Sequence, residues 1–208
     1  MKARNYHMKK LPLSFYRREN VLQIARELLG KLVVTCWNGQ TTSGRIVEVE
    51  AYEGVSDKAS HAFGGRRTPR NEIMYAEGGV SYVYLCYGIH HLFNVVTHNK
   101  KTPHAILIRA LEPVKGIAIM LKRTQKNGGD NTVTRGPGNL SRALGLTVWH
   151  SGRSLQHKEL FIAADGFEYS EKEIAASPRI GVDYAGKDAT LPYRFYIKGN
   201  LFVSGKPK

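Results

Sequence analysis

The chain has 208 residues, of which 42% are hydrophobic, so it is long enough to bury one sizeable core, and we predict a single domain over residues 1–208. Thirty-one Lys and Arg against 17 Asp and Glu give a net charge of +14, which favours a polyanion, above all nucleic acid, as the partner. No run of about 18 apolar residues occurs and no apolar segment follows the basic start, so we expect neither a membrane span nor a secretory signal.

The cysteines and the missing metal-binding spacings favour a reduced protein without a cofactor. Cys36 and Cys86 both lie in apolar runs, which is typical of small buried side chains and fits a cytoplasmic setting. The sequence contains no zinc spacing, no two-metal acidic cluster and no Walker-type phosphate loop. We therefore expect no metal and no cofactor. Residues 1–12 are predicted to be a flexible basic end.

The first predicted elements are a helix and a hairpin. The helix covers residues 21–30, with Asn20 as N-cap, Gln23 at the capping-box position and Gly30 as the stop. Strands are predicted over residues 31–37 and 42–53, joined by the Asn38-Gly39 turn signal. Strict alternation in the second strand predicts one face with Ile46, Glu48, Glu50 and Tyr52, and the opposite face with Val47, Val49 and Ala51.

Residues 54–77 form a predicted loop, and loops this long are usually functional. Strands over 80–87 and 89–97 pivot on Gly88, which places Tyr87 at or beside the tip of a protruding hairpin. A further strand covers 105–111, with Leu107, Arg109 and Leu111 on one face.

A helix is then predicted from Pro113 to about Lys126, with proline in its first turn, and a short one over 139–144 that ends at Gly145. Late strands are predicted over 160–163 and 193–198. This order predicts an α+β fold with a curved, mostly antiparallel β-sheet and flanking helices.

The candidate catalytic acid lies in the strand over 42–53. Glu50 is flanked by apolar residues and lies one pleat from Tyr52, where partial desolvation would suit a general base. An exposed strand glutamate is the simpler interpretation, and Glu48 on the same face is an equal candidate for the acid. Arg109 lies in an apolar strand and is expected to pair with one of these two glutamates, unless it is a surface arginine on an edge strand.

Aromatic and basic residues suggest a grip on a nucleic-acid base. Tyr52, Tyr84 and Tyr87 could stack on bases, whereas Tyr82 is more simply a strand-favouring aromatic. His61 in the loop is a polar surface residue or a site residue. The loop also carries candidate contacts to DNA phosphates, with a solvated basic loop as the alternative: Arg66, Arg67 and Arg70.

At these residues the chain resembles the alkyladenine DNA glycosylase family, the mammalian-type 3-methyladenine DNA glycosylases, as a bacterial-like member. The resemblance rests on segments 45–52, 64–71, 82–88, 107–113, 136–140, 179–182 and 194–196, together with Asn94. They follow the family's order from about residue 14 to the end of the chain. Residues 89–93, Ile-His-His-Leu-Phe, depart from the mammalian members.

The resemblance implies a monofunctional glycosylase that flips out alkylated or deaminated purines (3-methyladenine, 7-methylguanine, hypoxanthine) and hydrolyses the N-glycosidic bond, leaving an abasic site. It implies that Glu50 is the general base and that Arg109 and the main-chain carbonyl of Ile180 help to hold the water. Tyr52, His61, Tyr84 and Asn94 would form the base pocket. Tyr87 would be the wedge that the hairpin inserts into the DNA minor groove.

The expected partner is therefore double-stranded DNA containing damaged purines, bound by a monomer in the bacterial cytoplasm at the nucleoid. Two other hypotheses remain. A non-catalytic damage-binding protein would bind without forming an abasic product. An RNA-binding domain would prefer RNA, but no RNP-like or KH-like signature supports it.

Overall fold

The computed structural model describes residues 8–205, and within that range the chain forms nine strands and four α-helices. The strands are β1 (Lys9–Lys10), β2 (Leu32–Trp37), β3 (Gln40–Tyr52), β4 (Ser81–Cys86), β5 (His90–Thr97), β6 (His104–Lys115), β7 (Leu160–Ala164), β8 (Ile174–Ser177) and β9 (Arg194–Ile197). The helices are α1 (Leu13–Tyr16), α2 (Val21–Leu28), α3 (Ile117–Thr124) and α4 (Pro137–Leu144).

All nine strands join one strongly curved antiparallel sheet with the order β1-β7-β2-β3-β6-β5-β4. Strand β9 pairs with the C-terminal part of β3, and β8 pairs with β9. The main core lies where α2, α3 and α4 pack on the sheet, around side chains such as Ile24, Met120 and Leu140. The α+β class and the single domain are thus confirmed.

Local signals placed the first helix and the first hairpin correctly. The Gln23 amide donates to Asn20 Oδ1 at 3.0 Å, so Asn20 is the N-cap of α2. The side chain of Gln23 donates to Glu27 instead of returning to the cap, so the capping box is only half formed. Asn38 and Gly39 have φ of 51° and 77°, and the turn joins β2 to β3 in register.

The predicted helix from Pro113 to Lys126 is wrong at its start. Pro113 lies in β6 opposite Gly44, next to an irregularity in the ladder, where a proline without an N–H is tolerated. The helix begins only at Ile117, after Gly116 turns the chain with φ of 74°. A Cβ at Gly116 would lie 2.4 Å from the Thr41 carbonyl oxygen, so sheet pairing and this turn decide the boundary.

The strict alternation predicted for β3 and β6 is also wrong, because the two strands carry a pair of compensating bulges. Val47 is an extra residue in β3, and Arg109 is the extra residue in β6 that restores the register. Ile46 therefore joins Val47 in the main core, and Leu111 packs there too instead of sharing the face of Leu107. The bulges lie beside Glu48 and re-aim the charged side chains of this part of the sheet.

Two further expectations need correction. Lys9–Lys10 pair with β7 and Leu11 is buried, so the predicted flexible end of residues 1–12 does not extend that far; residues 1–7 lie outside the described range. Cys36 and Cys86 are free thiols but only half-buried, and Cys86 lines a cleft. Within residues 8–205 no α-helix is long and apolar enough to cross a membrane.

Candidate active site

A cleft of about 710 Å³ opens between the end of β3, the hairpin of β4 and β5, and the segments 135–139 and 180–184, a size within the range of small-molecule sites. The structure brings eight of the eleven predicted site residues to this cleft: Glu50, Tyr52, His61, Arg70, Tyr84, Tyr87, Arg109 and Ile180. Asn94 lines an adjoining inner recess, Arg66 lines a neighbouring surface depression, and Arg67 lines none of these three.

Glu50 is fully buried at the wall of the cleft. Its Oε1 accepts a hydrogen bond from the Ile180 amide at 2.7 Å and lies 3.2 Å from Arg109 Nη1. Its Oε2 accepts a hydrogen bond from the Tyr52 hydroxyl at 2.8 Å. A carboxylate has about four acceptor positions, so these three contacts leave room for a further donor such as water. The contact of Ile180 with Glu50 runs through its N–H, whereas the predicted carbonyl contact is to a water.

Glu48 is equally buried but is not among the residues that line the cleft. It accepts four hydrogen bonds, from Arg109 Nε at 2.9 Å, Arg194 Nε at 2.7 Å, and the amide and hydroxyl of Ser204 at 2.6 and 2.9 Å. Three of these donors meet Oε1 and one meets Oε2, so the protein itself supplies four donors to this carboxylate. Strand alternation could not separate the two glutamates, and the family resemblance pointed to Glu50; only Glu50 borders the cleft, and it has one protein donor fewer than Glu48.

Arg179 holds the segment that covers Glu50. Its guanidinium makes a bidentate ion pair with the buried Asp57, with Nη2 2.8 Å from Oδ1, and also donates to the Ala51 carbonyl at 2.9 Å. It lies 4.8 Å from the centre of the Tyr52 ring. This anchor fixes the residue next to Ile180, and sequence reasoning did not give Arg179 or Asp57 a role. The only signal was Arg179 at the head of the 179–182 motif.

The inner recess is built from aromatic rings on β4 and the loop. His61 Nδ1 lies 2.8 Å from the Tyr82 hydroxyl, and its ring meets Tyr84 edge-on with centroids 4.7 Å apart. Asn94 donates from Nδ2 to the carbonyls of Tyr82 and Leu92, which fixes the orientation of its amide. Tyr82, interpreted above as a plain strand residue, lines the recess as well as the core.

Burial sets the protonation states around the recess. Desolvation, with the nearby charges of Arg70 and Arg66, lowers the pKa of His61 to about 4, so its imidazole is neutral near pH 7. Desolvation and the adjacent Glu50 raise the pKa of Tyr52 well above its usual value. The Tyr52 hydroxyl therefore keeps its proton and donates it to Glu50 in a hydrogen bond.

Tyr87 lies at the hairpin tip, as the sequence predicted. It has a φ of 51°, the residue is 88% exposed, and Gly88 follows it with a φ of 72°. Nothing in the core accounts for so large an exposed ring at a tight turn. Tyr184, which sequence reasoning missed, also lines the cleft; it is 70% exposed, and its hydroxyl donates to the Ala59 carbonyl at 3.0 Å.

The three loop arginines are all exposed but differ in their partners. Arg70 lies over the Tyr84 ring at 4.9 Å, at the edge of the cleft. Arg67 makes a bidentate ion pair with Glu72, so its charge is already balanced. Within residues 8–205 no cluster of three or more His, Cys, Asp or Glu is arranged to hold a metal ion.

Comparison with known proteins gives the class of this site. A model of the methylpurine-DNA glycosylase (MPG) family matches residues 14–201. That match, over a fold whose aromatic cleft carries a buried acid and arginine, defines a DNA glycosylase, a hydrolase of N-glycosyl bonds in DNA.

Curated relatives narrow the assignment. A Chlamydia felis (strain Fe/C-56) protein is 47% identical over 192 residues, covering 90% of this chain and 95% of its own. A Bacillus cereus (strain G9842) protein is 48% identical over 204 residues, covering 94% of this chain and 98% of its own. Both are named "Putative 3-methyladenine DNA glycosylase". The chain belongs to the methylpurine-DNA glycosylase family, which confirms the resemblance found in the sequence.

Proposed function

We propose that the protein removes alkylated or deaminated purines, such as 3-methyladenine, 7-methylguanine and hypoxanthine, from double-stranded DNA by hydrolysis of the N-glycosidic bond. The observation that carries this proposal is the pairing of a buried Glu50, with unused acceptor capacity, and an aromatic recess that adjoins it. A flat base in the recess would place its sugar carbon near the carboxylate. The products would be a free base and an abasic site.

Glu50 acts as the general base in this proposal. Tyr52, Ile180 and Arg109 fix the carboxylate from three directions, and the remaining acceptor position takes a proton of the attacking water. Arg109 also balances the charge of the buried Glu50. No lysine is among the described residues that line the cleft, which supports a monofunctional enzyme acting through water rather than through a lysine Schiff base.

The recess suits a cationic purine. The faces of Tyr52 and Tyr84 attract a positively charged ring more than a neutral one. His61 is neutral near pH 7 and therefore does not repel it. Alkylation at N3 or N7 already makes the base a good leaving group, so that water and positioning supply most of what the reaction needs. Asn94 at the recess is the candidate that discriminates against normal guanine.

Duplex binding is assigned to the hairpin and the charge of the surface. Tyr87 is the wedge that fills the gap left by an extruded nucleotide in the minor groove. Arg66, Arg67 and Arg70 are proposed phosphate contacts; Arg67 would have to exchange Glu72 for a phosphate. One site per chain suffices, so the proposed enzyme is a monomer. Its cytoplasmic, nucleoid location stays a prediction.

The test is excision from a duplex that carries one hypoxanthine or one 7-methylguanine, followed by hot alkali. We expect strand breakage only at the lesion, lost by a factor of about 10²–10⁴ in Glu50→Gln, with lesion binding retained. Glu53→Gln is the matched control, since Glu53 follows the same strand outside the cleft. Excision retained in Glu50→Gln would remove Glu50 from the mechanism, and binding without breakage in the wild type would favour a damage-binding protein.

Tyr87→Ala tests the wedge separately from the chemistry. We expect weaker capture of the lesion duplex, by about 10-fold, because a stacked aromatic ring is worth about 1–3 kcal/mol. Excision from a lesion in a single strand should change much less. Unchanged affinity for the lesion duplex, measured by fluorescence anisotropy, would refute the wedge.

A further inference from the structure

A second depression lies on the other side of the hairpin from the Glu50 cleft. Ile89, His90 and His91 form one wall, directly after the Tyr87 tip. The opposite wall is α4 and the chain that follows it, including Arg142 and Thr147. We call this 590 Å³ depression the rear groove. It shares only His90, Gly138 and Asn139 with the cleft, so the hairpin divides the two.

Strand alternation in β5 explains the division. Leu92 lines the Glu50 cleft, Asn94 lines the recess beyond it, and His90 lines both the cleft and the rear groove. His91 lines the rear groove, and Phe93 packs into the core that contains Leu140 of α4. From His91 onward, successive residues of β5 thus lie on opposite sides of the hairpin.

The hairpin packs closely against the start of α4 between the two depressions. A Cβ on Gly138 would lie 2.9 Å from Nδ1 and 3.1 Å from Cγ of His90. The imidazole of His90 therefore rests directly on the backbone at the start of α4, and the hairpin is braced there. The departure from the mammalian pattern at residues 89–93 supplies three of the residues that line the rear groove.

The charge of the rear groove is of one sign. Its charged lining residues are two arginines, Arg123 and Arg142, and none of the described residues that line it is acidic. Arg123 donates to the Ala143 carbonyl at 3.0 Å and is held at the end of α4. Arg142 is exposed and donates from Nε to the Arg123 carbonyl at 2.7 Å. Its terminal nitrogens are in reach of an external anion.

We propose that the rear groove binds the phosphate backbone of the strand opposite the lesion, an inference that rests on the proposed function. The minor groove is about 6 Å wide and has one backbone on each side. A hairpin that enters it must therefore pass between two phosphate chains. The cleft with Glu50 takes the lesion strand, and the basic rear groove takes the other.

The test compares a duplex that carries one abasic-site analogue with its lesion strand alone. Binding is measured by anisotropy at several salt concentrations. Arg142→Gln should weaken duplex binding about 3- to 10-fold and lower the salt slope by about one, because one phosphate contact is lost. Binding of the single strand should stay within about 2-fold of wild type. Lys122→Gln is the matched control: it removes the same charge from an exposed position on α3 outside the rear groove.

Three outcomes overturn the proposal: no loss on the duplex, an equal loss on the single strand, or the same loss in Lys122→Gln. The second would assign the rear groove to the lesion strand, and the third would leave only an effect of net charge. Excision of hypoxanthine by the wild type is measured in parallel. If the wild type does not excise, the proposed function fails by itself, whereas the contrast between duplex and single strand still decides the rear groove.

Discussion

Glu48 and Glu50 are two buried carboxylates, two residues apart in one strand, and both contact Arg109. Glu48 accepts four hydrogen bonds from donors of the protein and borders no part of the cleft. Glu50 has three contacts and borders the cleft. A satisfied carboxylate stabilises its surroundings, and an incompletely satisfied one can still bind water.

The contrast also shows how the proposed general base is held in place. Arg109 contacts Glu48 through Nε and Glu50 through Nη1. The contact with Glu48 therefore orients the guanidinium group that also contacts Glu50. Arg194 and Ser204 tie Glu48 to β9 and to the chain beyond it, and thus fix the frame. We therefore expect Glu48 to position Arg109 against Glu50.

The largest expected effects come from replacing each glutamate by glutamine: Glu48→Gln should mainly lower stability, and Glu50→Gln should mainly lower excision. Glu48→Gln should lower the free energy of unfolding by about 3–5 kcal/mol, because the buried Arg194 loses the carboxylate that balances it and Arg109 keeps only Glu50. Glu50→Gln should keep most of the stability and lose excision by the factor given above. Urea unfolding and single-turnover excision of both proteins measure the contrast. If both variants lost stability and activity alike, the two carboxylates would form one undivided centre.

Asp57→Asn tests whether the contacts of Glu50 depend on the ion pair between Asp57 and Arg179. The substitution unbalances Arg179 in a buried pair, and we expect a loss of about 3 kcal/mol in unfolding free energy. It should also slow excision, because the segment that carries the Ile180 amide is no longer held against Glu50. The pH profile of excision should shift with the loss of that hydrogen bond. An unchanged profile would make the pair purely structural.

The lowered pKa of His61 in the recess predicts how the stability of the protein depends on pH. The folded pKa of His61 is about 4 and its ordinary value is 6.5, so between these the unfolded chain binds a proton that the folded chain does not. Stability from this residue is complete above about pH 6.5 and falls as the pH drops. From there to about pH 5 the loss is about 2 kcal/mol.

His61→Asn should remove that share of the acid sensitivity and impair excision. His104 has the same lowered pKa of about 4, from burial and the nearby His98, but is not among the residues that line the cleft. His104→Asn is therefore the control: it should remove a comparable acid sensitivity and leave excision near the wild-type rate. Urea unfolding at about pH 7.5 and 5 measures both. An undiminished acid sensitivity in His61→Asn would contradict the assignment.

The smallest effects come from removing one hydroxyl at each centre. Tyr52→Phe deletes a donor to Glu50, and Ser204→Ala deletes one to Glu48. Each hydrogen bond to a charged group is worth about 1.5–3 kcal/mol. We expect the first loss to appear mainly in the excision rate and the second mainly in stability. If Tyr52→Phe mainly lowered stability and Ser204→Ala mainly lowered the excision rate, the proposed difference between Glu50 and Glu48 would be wrong.

Local sequence signals fixed much of the fold. Asn20 capped α2, Asn38-Gly39 turned the first hairpin, and Gly145 ended α4, because each acts within a few residues of itself. The same is true of Tyr87 at its turn. The α+β class followed from the order of such elements.

Where the fold departs from local preference, the sequence misled. Pro113 is a good first residue of a helix, yet β6 continues through it because β3 extends far enough to pair there. The bulges at Val47 and Arg109 are properties of two paired strands, and no alternation pattern in either strand contains them.

The sequence by itself determined the family, the elements and the group of acid, aromatic and basic residues around β3 and the hairpin. The family resemblance pointed to Glu50, but the alternation within β3 could not decide which glutamate faces the cleft, because both have the same parity and both lie between apolar residues. Only the tertiary structure decided that, through donors 146 and 156 residues away that satisfy Glu48 and none of which reaches Glu50. Whether a buried carboxylate is satisfied depends on every donor that packing brings to it, and packing is a property of the whole chain.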